Sequence, residues 1–220
     1  MRTFDTPAPI SAVLDVPAGR VQVIAADRTD TAVEVRPANP AKGRDTKAAE
    51  QTTVDYRDGV LRIETAAKNQ YLGPSGSIEV TVQLPAGSSV DAKVAAADFR
   101  GVGRLGDLDF TGAQGRVKVD EAASVRLATH AGDVEIGRLG GPAEISTTKG
   151  DITVAQATSG TVVLRTQAGQ ITVGAAPGVS ASLDAGTDHG RISNGLKNDG
   201  TADLEIRATT AYGDIVARSL

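Results

Sequence analysis

The chain has 220 residues, 40% of them hydrophobic and 23% charged. These are globular values that exclude a disordered chain, and no apolar run approaches the roughly 20 residues of a membrane helix. A formal net charge of -4 gives no basic footprint for nucleic acid or anionic lipid, and the absence of Cys excludes disulfides, thiolate zinc sites and thiol catalysis.

Three Phe, three Tyr, no Trp and 25 Gly imply small β-branched cores with many turns. The amino terminus carries Asp5 and Pro7 where a secretory signal would have an apolar run, and residue 2 is Arg, which excludes myristoylation. The expectation is a soluble cytoplasmic protein without membrane insertion. Short strands follow at Val13 to Val16, Arg20 to Ile24 and Thr31 to Val35, separated by Pro, Gly and Asp. Arg44 to Glu50 can form one or two helical turns. Thr53 to Arg57 and Val60 to Glu64 alternate around Asp58-Gly59, a hairpin signal, and Ser77 to Leu84 is a further strand ending at Pro85. Residues 1–89 therefore read as an amino-terminal antiparallel β cap. No Ser- or Pro-rich linker separates them from residues 90–220, which predicts one continuous body.

From Leu108 onward one pattern recurs: two apolar residues spaced by two, a short stretch of small residues, a Gly, then two more apolar residues two and four positions beyond it. The first pairs read as Leu108/Phe110, Val125/Leu127, Ala143/Ile145, Val162/Leu164, Ala181/Leu183 and Leu204/Ile206. The glycines are Gly115, Gly132, Gly150, Gly169, Gly190 and Gly213. The pairs after them are Val117/Val119, Val134/Ile136, Ile152/Val154, Ile171/Val173, Ile192/Asn194 and Ile215/Ala217. A worn seventh copy precedes these, since Gly103-Arg104-Leu105-Gly106 recurs as Gly137-Arg138-Leu139-Gly140.

A spacing of two is the strand period, so each copy holds two short strands with one face inward, joined at the Gly. No copy can bury its own apolar face, and stacking supplies the common core. Two stackings fit this pattern, a parallel solenoid and an antiparallel meander or propeller. In the repeats, Asn-Gly and Asp-Gly occur only at Asn194-Gly195 and Asp199-Gly200, so turn chemistry leans toward the solenoid.

The run Ile78-Glu79-Val80-Thr81-Val82-Gln83-Leu84-Pro85-Ala86-Gly87 and the Gly-Asp steps at Gly132, Gly150 and Gly213 resemble a bacterial domain-of-unknown-function family. That family comprises β-strand-repeat proteins labelled candidate adhesins, abundant in actinobacteria. The resemblance covers nearly the whole chain. It implies an all-β, right-handed parallel β-solenoid of about six to seven coils over 90–220, and it carries no catalytic signature to transfer.

The column after each repeat Gly holds Arg116, Asp133, Asp151, Gln170, Arg191 and Asp214. Stacked Asp133 and Asp151 could form a cation site or an acid/base pair, but Asp after Gly is ordinary turn chemistry, and Arg116 and Arg191 neutralise the column. His130 and His189 each precede a repeat Gly and read as exposed corner residues, although His189 follows Asp188. Tyr56, Tyr71 and Tyr212 are too scattered to make a stacking platform, and the run Arg44, Asp45, Lys47, Glu50 reads as a solvated face. No catalytic, cofactor or metal residue is assigned. The expectation is a non-enzymatic scaffold or interaction module that binds a protein partner or another copy of itself, with no cofactor. The alternatives are a carbohydrate-binding or carbohydrate-cleaving β-helix protein and an envelope-associated adhesin.

Overall fold

The computed structural model of the protein describes residues 1–65 and 76–220, and Tyr71 lies outside them. Among the described residues the chain is all-β with one short helix, and it forms two compact units, Met1–Gly115 and Arg116–Leu220.

The first unit is built on β2 (Ser11–Ala26), a strand long enough to take several partners. It pairs in parallel with β5 (Val60–Thr65) and β6 (Ile78–Pro85), and on its other side with β7 (Ser89–Gln114). Antiparallel strands finish the sheet: β3 (Asp30–Pro37) on β6, β1 (Arg2–Asp5) on β3, and β4 (Thr52–Arg57) on β5. The hairpin at Asp58-Gly59 is present, with both residues at positive φ (52° and 77°), the conformation a tight two-residue connection requires.

Three expectations need correction in this unit. The two strands expected within 13–24 are one, because Gly19 at φ 126° lets β2 run through the Pro17–Gly19 interruption. The unit is not uniformly antiparallel, since the alternation that marks a strand is the same in either direction. Residues 89–103 of β7 lie along β2 in continuous register. Asp45 in the helix α1 (Gly43–Gln51) is only 4% exposed rather than solvated, and its Oδ1 accepts the Ser77 backbone N–H at 3.0 Å.

The second unit is two parallel ladders. One contains residues 125–131 of β8 (Val117–Ala131), then β10 (Ala143–Lys149), β12 (Gly160–Ala168), β16 (Leu204–Tyr212) and β14 (Ala181–His189). The other contains residues 117–122 of β8, then β9 (Val134–Leu139), β11 (Ile152–Ala157), β13 (Ile171–Ala175), β17 (Ile215–Ser219) and β15 (Ile192–Gly195). The residues two and four beyond each glycine stack in register, and Val134, Ile136, Ile152, Val154, Ile171 and Val173 are fully buried.

Coil order departs from chain order. The sixth copy lies between the fourth and the fifth, so the fifth is outermost. Its side chains explain the exchange. Asn194 occupies an inward column, and between two coils its amide would be buried without a partner, at a cost of about 1 to 3 kcal/mol. On the outermost coil it is exposed, as is Ile192 (46%), whereas Ile206, Ala208, Ile215 and Ala217 of the sixth copy are buried. The register also moves the first apolar pairs of these two copies by two residues. Val162 faces Ile206, which faces Leu183, and Leu164 faces Ala208, which faces Ala185.

Coil order can be read by mutation. Ile215→Ala should cost about 2 to 5 kcal/mol, as for a large aliphatic side chain in a closed core, and Ile192→Ala no more than about 1 kcal/mol. Urea denaturation midpoints check this, and equal losses would restore the order of the chain.

Candidate functional site

The corner of each coil in the second unit is set by how close neighbouring coils come there. At Gly150 (φ 142°) an added Cβ would overlap the Gly132 carbonyl oxygen, and at Gly213 (φ 150°) it would overlap that of Gly169. Only glycine fits both the backbone conformation and the approach.

Several polar side chains on either side of the corner are committed to the neighbouring coil. Three residues before the glycine runs a column of threonines, in spatial order Thr129, Thr147, Thr166, Thr210 and Thr187. Thr166 donates to the Gly150 carbonyl (3.1 Å), Thr210 to that of Gly169 (3.1 Å) and Thr187 to that of Gly213 (3.0 Å). This column was not among the sequence expectations, although its constant offset from the glycine was there to be read.

The acidic column is turn chemistry. Asp133 Oδ1 accepts the Asp151 backbone N–H (3.1 Å), and Asp151 Oδ1 accepts that of Gln170 (2.8 Å). Asp214 Oδ1 accepts the Arg191 backbone N–H (2.9 Å) and its Oδ2 the guanidinium (3.2 Å). The Arg191 backbone N–H first, and then its guanidinium, hold the Asp214 carboxyl below the ordinary aspartate value. Among the described residues no group of three His, Asp or Glu side chains is placed to hold a metal ion.

A group of residues without such partners lies on the fifth and sixth coils of this unit. His189 on β14 and Tyr212 on β16 are register partners, with ring centroids 4.8 Å apart and planes 12° from parallel. Tyr212 is 61% exposed. An open depression of about 430 Å³ is lined by Thr166, Gly186, Thr187, Asp188, Thr209, Thr210 and Ala211. Asp188 and Ala211 immediately precede the two rings. Gly186 faces Thr209 on β16 and carries no side chain where the coils beneath carry Arg165 and Thr209. Within the described residues, the Asp188 carboxylate and the Thr209 hydroxyl make no hydrogen bond or ion pair. Tyr212 meets His189 because the sixth coil lies beside the fifth. Tyr56 instead packs on Phe4 in the first unit (5.4 Å), and His130 is an exposed corner residue.

Two outcomes follow from these assignments. Melting midpoints in calcium, magnesium, manganese or a chelator should coincide within about a degree, because a site binding only the folded state would add about 2.7 kcal/mol at a hundredfold excess over Kd and move the midpoint by several degrees. For Asp214, a depressed folded value means that its contribution is present above the ordinary aspartate value and is lost as pH falls through the folded one. The stability difference between wild type and Asp214→Asn should therefore be largest at neutral pH and close on acidification. Urea titrations across pH measure it, and a pH-independent difference would remove the charge from the argument.

No curated protein matches the sequence. Among solved structures the chain is similar to a candidate cell adhesion protein from Clostridium sporogenes, with 11% identity over 100% of this chain and 98% of that one and a TM-score of 0.41. It is likewise similar to candidate adhesins from Bacteroides fragilis (14%, 98% and 95%, 0.43) and Parabacteroides distasonis (12%, 98% and 95%, 0.42). The family model described as Toastrack DUF4097 matches residues 12–218, and the chain belongs to that family.

Proposed function

We propose that the protein is a non-enzymatic binding module of right-handed parallel β-coils that engages a protein partner, or a second copy of itself, through the outermost coil of its second unit. The observation that carries this reading is the contrast along the stack. On the inner coils the carboxylates of Asp133, Asp151 and Asp214 and the hydroxyls of Thr166 and Thr210 are committed to backbone groups of the adjacent coil. On the outermost coil, among the described residues, β14 pairs only with β16 and β15 only with β17. Each strand therefore keeps one edge of backbone donors and acceptors for an added strand, beside the exposed Ile192. The outer edge is blocked at one point only, where Ala181 donates to the Lys197 carbonyl (2.9 Å) and accepts from the Asn198 amide (3.2 Å). Right-handed winding is supported by the near-universal hand of parallel crossovers. In the first unit the antiparallel strands β1, β3 and β4 act as the cap, closing parallel ladders that would otherwise end in open edges.

The test is capture by the immobilised full chain from an extract of its native host, with bound proteins identified by mass spectrometry. Ile192→Asp should abolish capture of a defined partner, or of the untagged chain itself. Arg165→Glu, on the side of the stack, should leave it intact. Both residues are exposed, so both variants fold. Capture that survives Ile192→Asp, or that is lost equally in both variants, would refute the terminal coil as the working surface.

A further inference from the structure

The rings and the depression at the outer end of the second unit have a chemistry of their own. Resting on the binding-module reading above, we propose that this end binds a neutral oligosaccharide, with one pyranose ring stacked on the His189–Tyr212 pair and the hydroxyls of the adjoining unit held in the depression by Asp188 and Thr209.

Each half of this recognition rests on a separate observation. A pyranose presents a face of C–H groups that packs on an aromatic ring, and its rim of hydroxyls must be satisfied by polar groups. His189 sits on the outermost coil, so no coil lies beyond its ring, and Tyr212 is 61% exposed. Among the described residues exposed aromatic surface is scarce, which makes a stacked pair at one point unlike the rest of that surface. The polar half is the Asp188 carboxylate, which accepts from two adjacent sugar hydroxyls, together with the Thr209 hydroxyl, which can donate or accept. Both are without partners inside the described residues, whereas Thr166, Thr187 and Thr210 in the floor are already committed to glycine carbonyls.

Size and charge narrow the ligand. A depression of about 430 Å³ lies in the range of small-molecule sites. Gly186 lines it, and a Cβ built there meets nothing within 4 Å, so the space beside it is open. A carboxylate as the uncommitted group, on a chain of net charge -4, disfavours sialylated, uronic or phosphorylated sugars. A nucleobase would stack equally well on the rings but would bring its phosphates against the same carboxylate.

Saturation-transfer NMR on the full chain tests the proposal. The probes are cellotriose, maltotriose and chitotriose at millimolar concentration, with sialyllactose as the anionic control. At least one neutral trisaccharide should show transfer to its ring protons, and the control should show much less. Tyr212→Ala should weaken binding by about tenfold, Tyr212→Phe should keep it, and Asp188→Ala should weaken it comparably. His130→Ala, at an exposed corner of another coil, should bind as wild type. Circular dichroism confirms that each variant is folded, and Tyr212→Phe separates loss of the ring from loss of the coil. Absence of transfer from all three neutral probes, equal transfer to sialyllactose, or binding indifferent to Tyr212→Ala would overturn the saccharide. If partner capture still depends on Ile192 in that case, the binding module stands and only the saccharide falls. If capture fails as well, both fall.

Discussion

The closeness of one coil to the next at the glycine corner is the constraint on which the second unit depends. Parallel strands about 4.8 Å apart place every residue over its counterpart, so a side chain is acceptable only if it can be repeated up the stack. At Gly150 and Gly213 the neighbouring carbonyl oxygen occupies the space a Cβ would need. The close approach brings the carbonyls of Gly150, Gly169 and Gly213 within reach of a threonine hydroxyl, and the N–H groups of Asp151, Gln170 and Arg191 within reach of an aspartate. Valine in the threonine column would keep the volume and β propensity but leave a carbonyl unmatched. Glycine, threonine and aspartate at fixed offsets are thus three consequences of one distance.

That dependence explains what could be read from the sequence. The inward columns beyond each glycine were legible because the glycine fixes the count and the period is two. The pairs before it were legible only where their neighbours are polar. In the fifth copy Ala181, Leu183 and Ala185 alternate, and in the sixth Leu204, Ile206 and Ala208 do the same, so a slip of two leaves the same face inward and the pattern cannot choose. Counting back five and seven from Gly190 and Gly213 selects Leu183/Ala185 and Ile206/Ala208, as the ladders have it. In the first unit the difficulty was direction: β2 and β3 alternate alike, yet one is parallel to β6 and the other antiparallel.

The candidate site was hidden for a different reason. Asp188, His189 and Tyr212 are visible as residues, but in chain order 23 residues separate Tyr212 from His189 and nothing in their spacing joins them. They meet because the sixth coil lies beside the fifth. The signal for that order was Asn194, a polar residue in a column otherwise filled by Ile136, Val154, Val173 and Ala217. A polar residue in an apolar column marks either a partner for it in the core or an end of the stack, and the absence of any complementary polar residue in that column selects the end.

Placing the more polar copy outermost also changes how the unit must assemble. If the coils followed the chain, each would add to a finished edge, and every new contact would be local. Here residues 204–219 pair on both sides, with β12 and β13 on one flank and β14 and β15 on the other. Until they are in place the fifth coil has no partner and its ladder cannot form, since one two-stranded coil is marginal in water. The sixth coil must therefore dock before the fifth or together with it, closing a loop of about forty residues before the contacts that reward it are made. The same coupling ties the outer surface to the core. Ile206 and Ile215 hold the sixth coil against the fourth, and the sixth coil alone holds His189, Asp188 and Gly186 in register with Tyr212 and Thr209. An apolar loss at Ile215 would therefore disorganise the surface residues of the fifth coil, while a change at His189 or Tyr212 leaves the inner coils as they are.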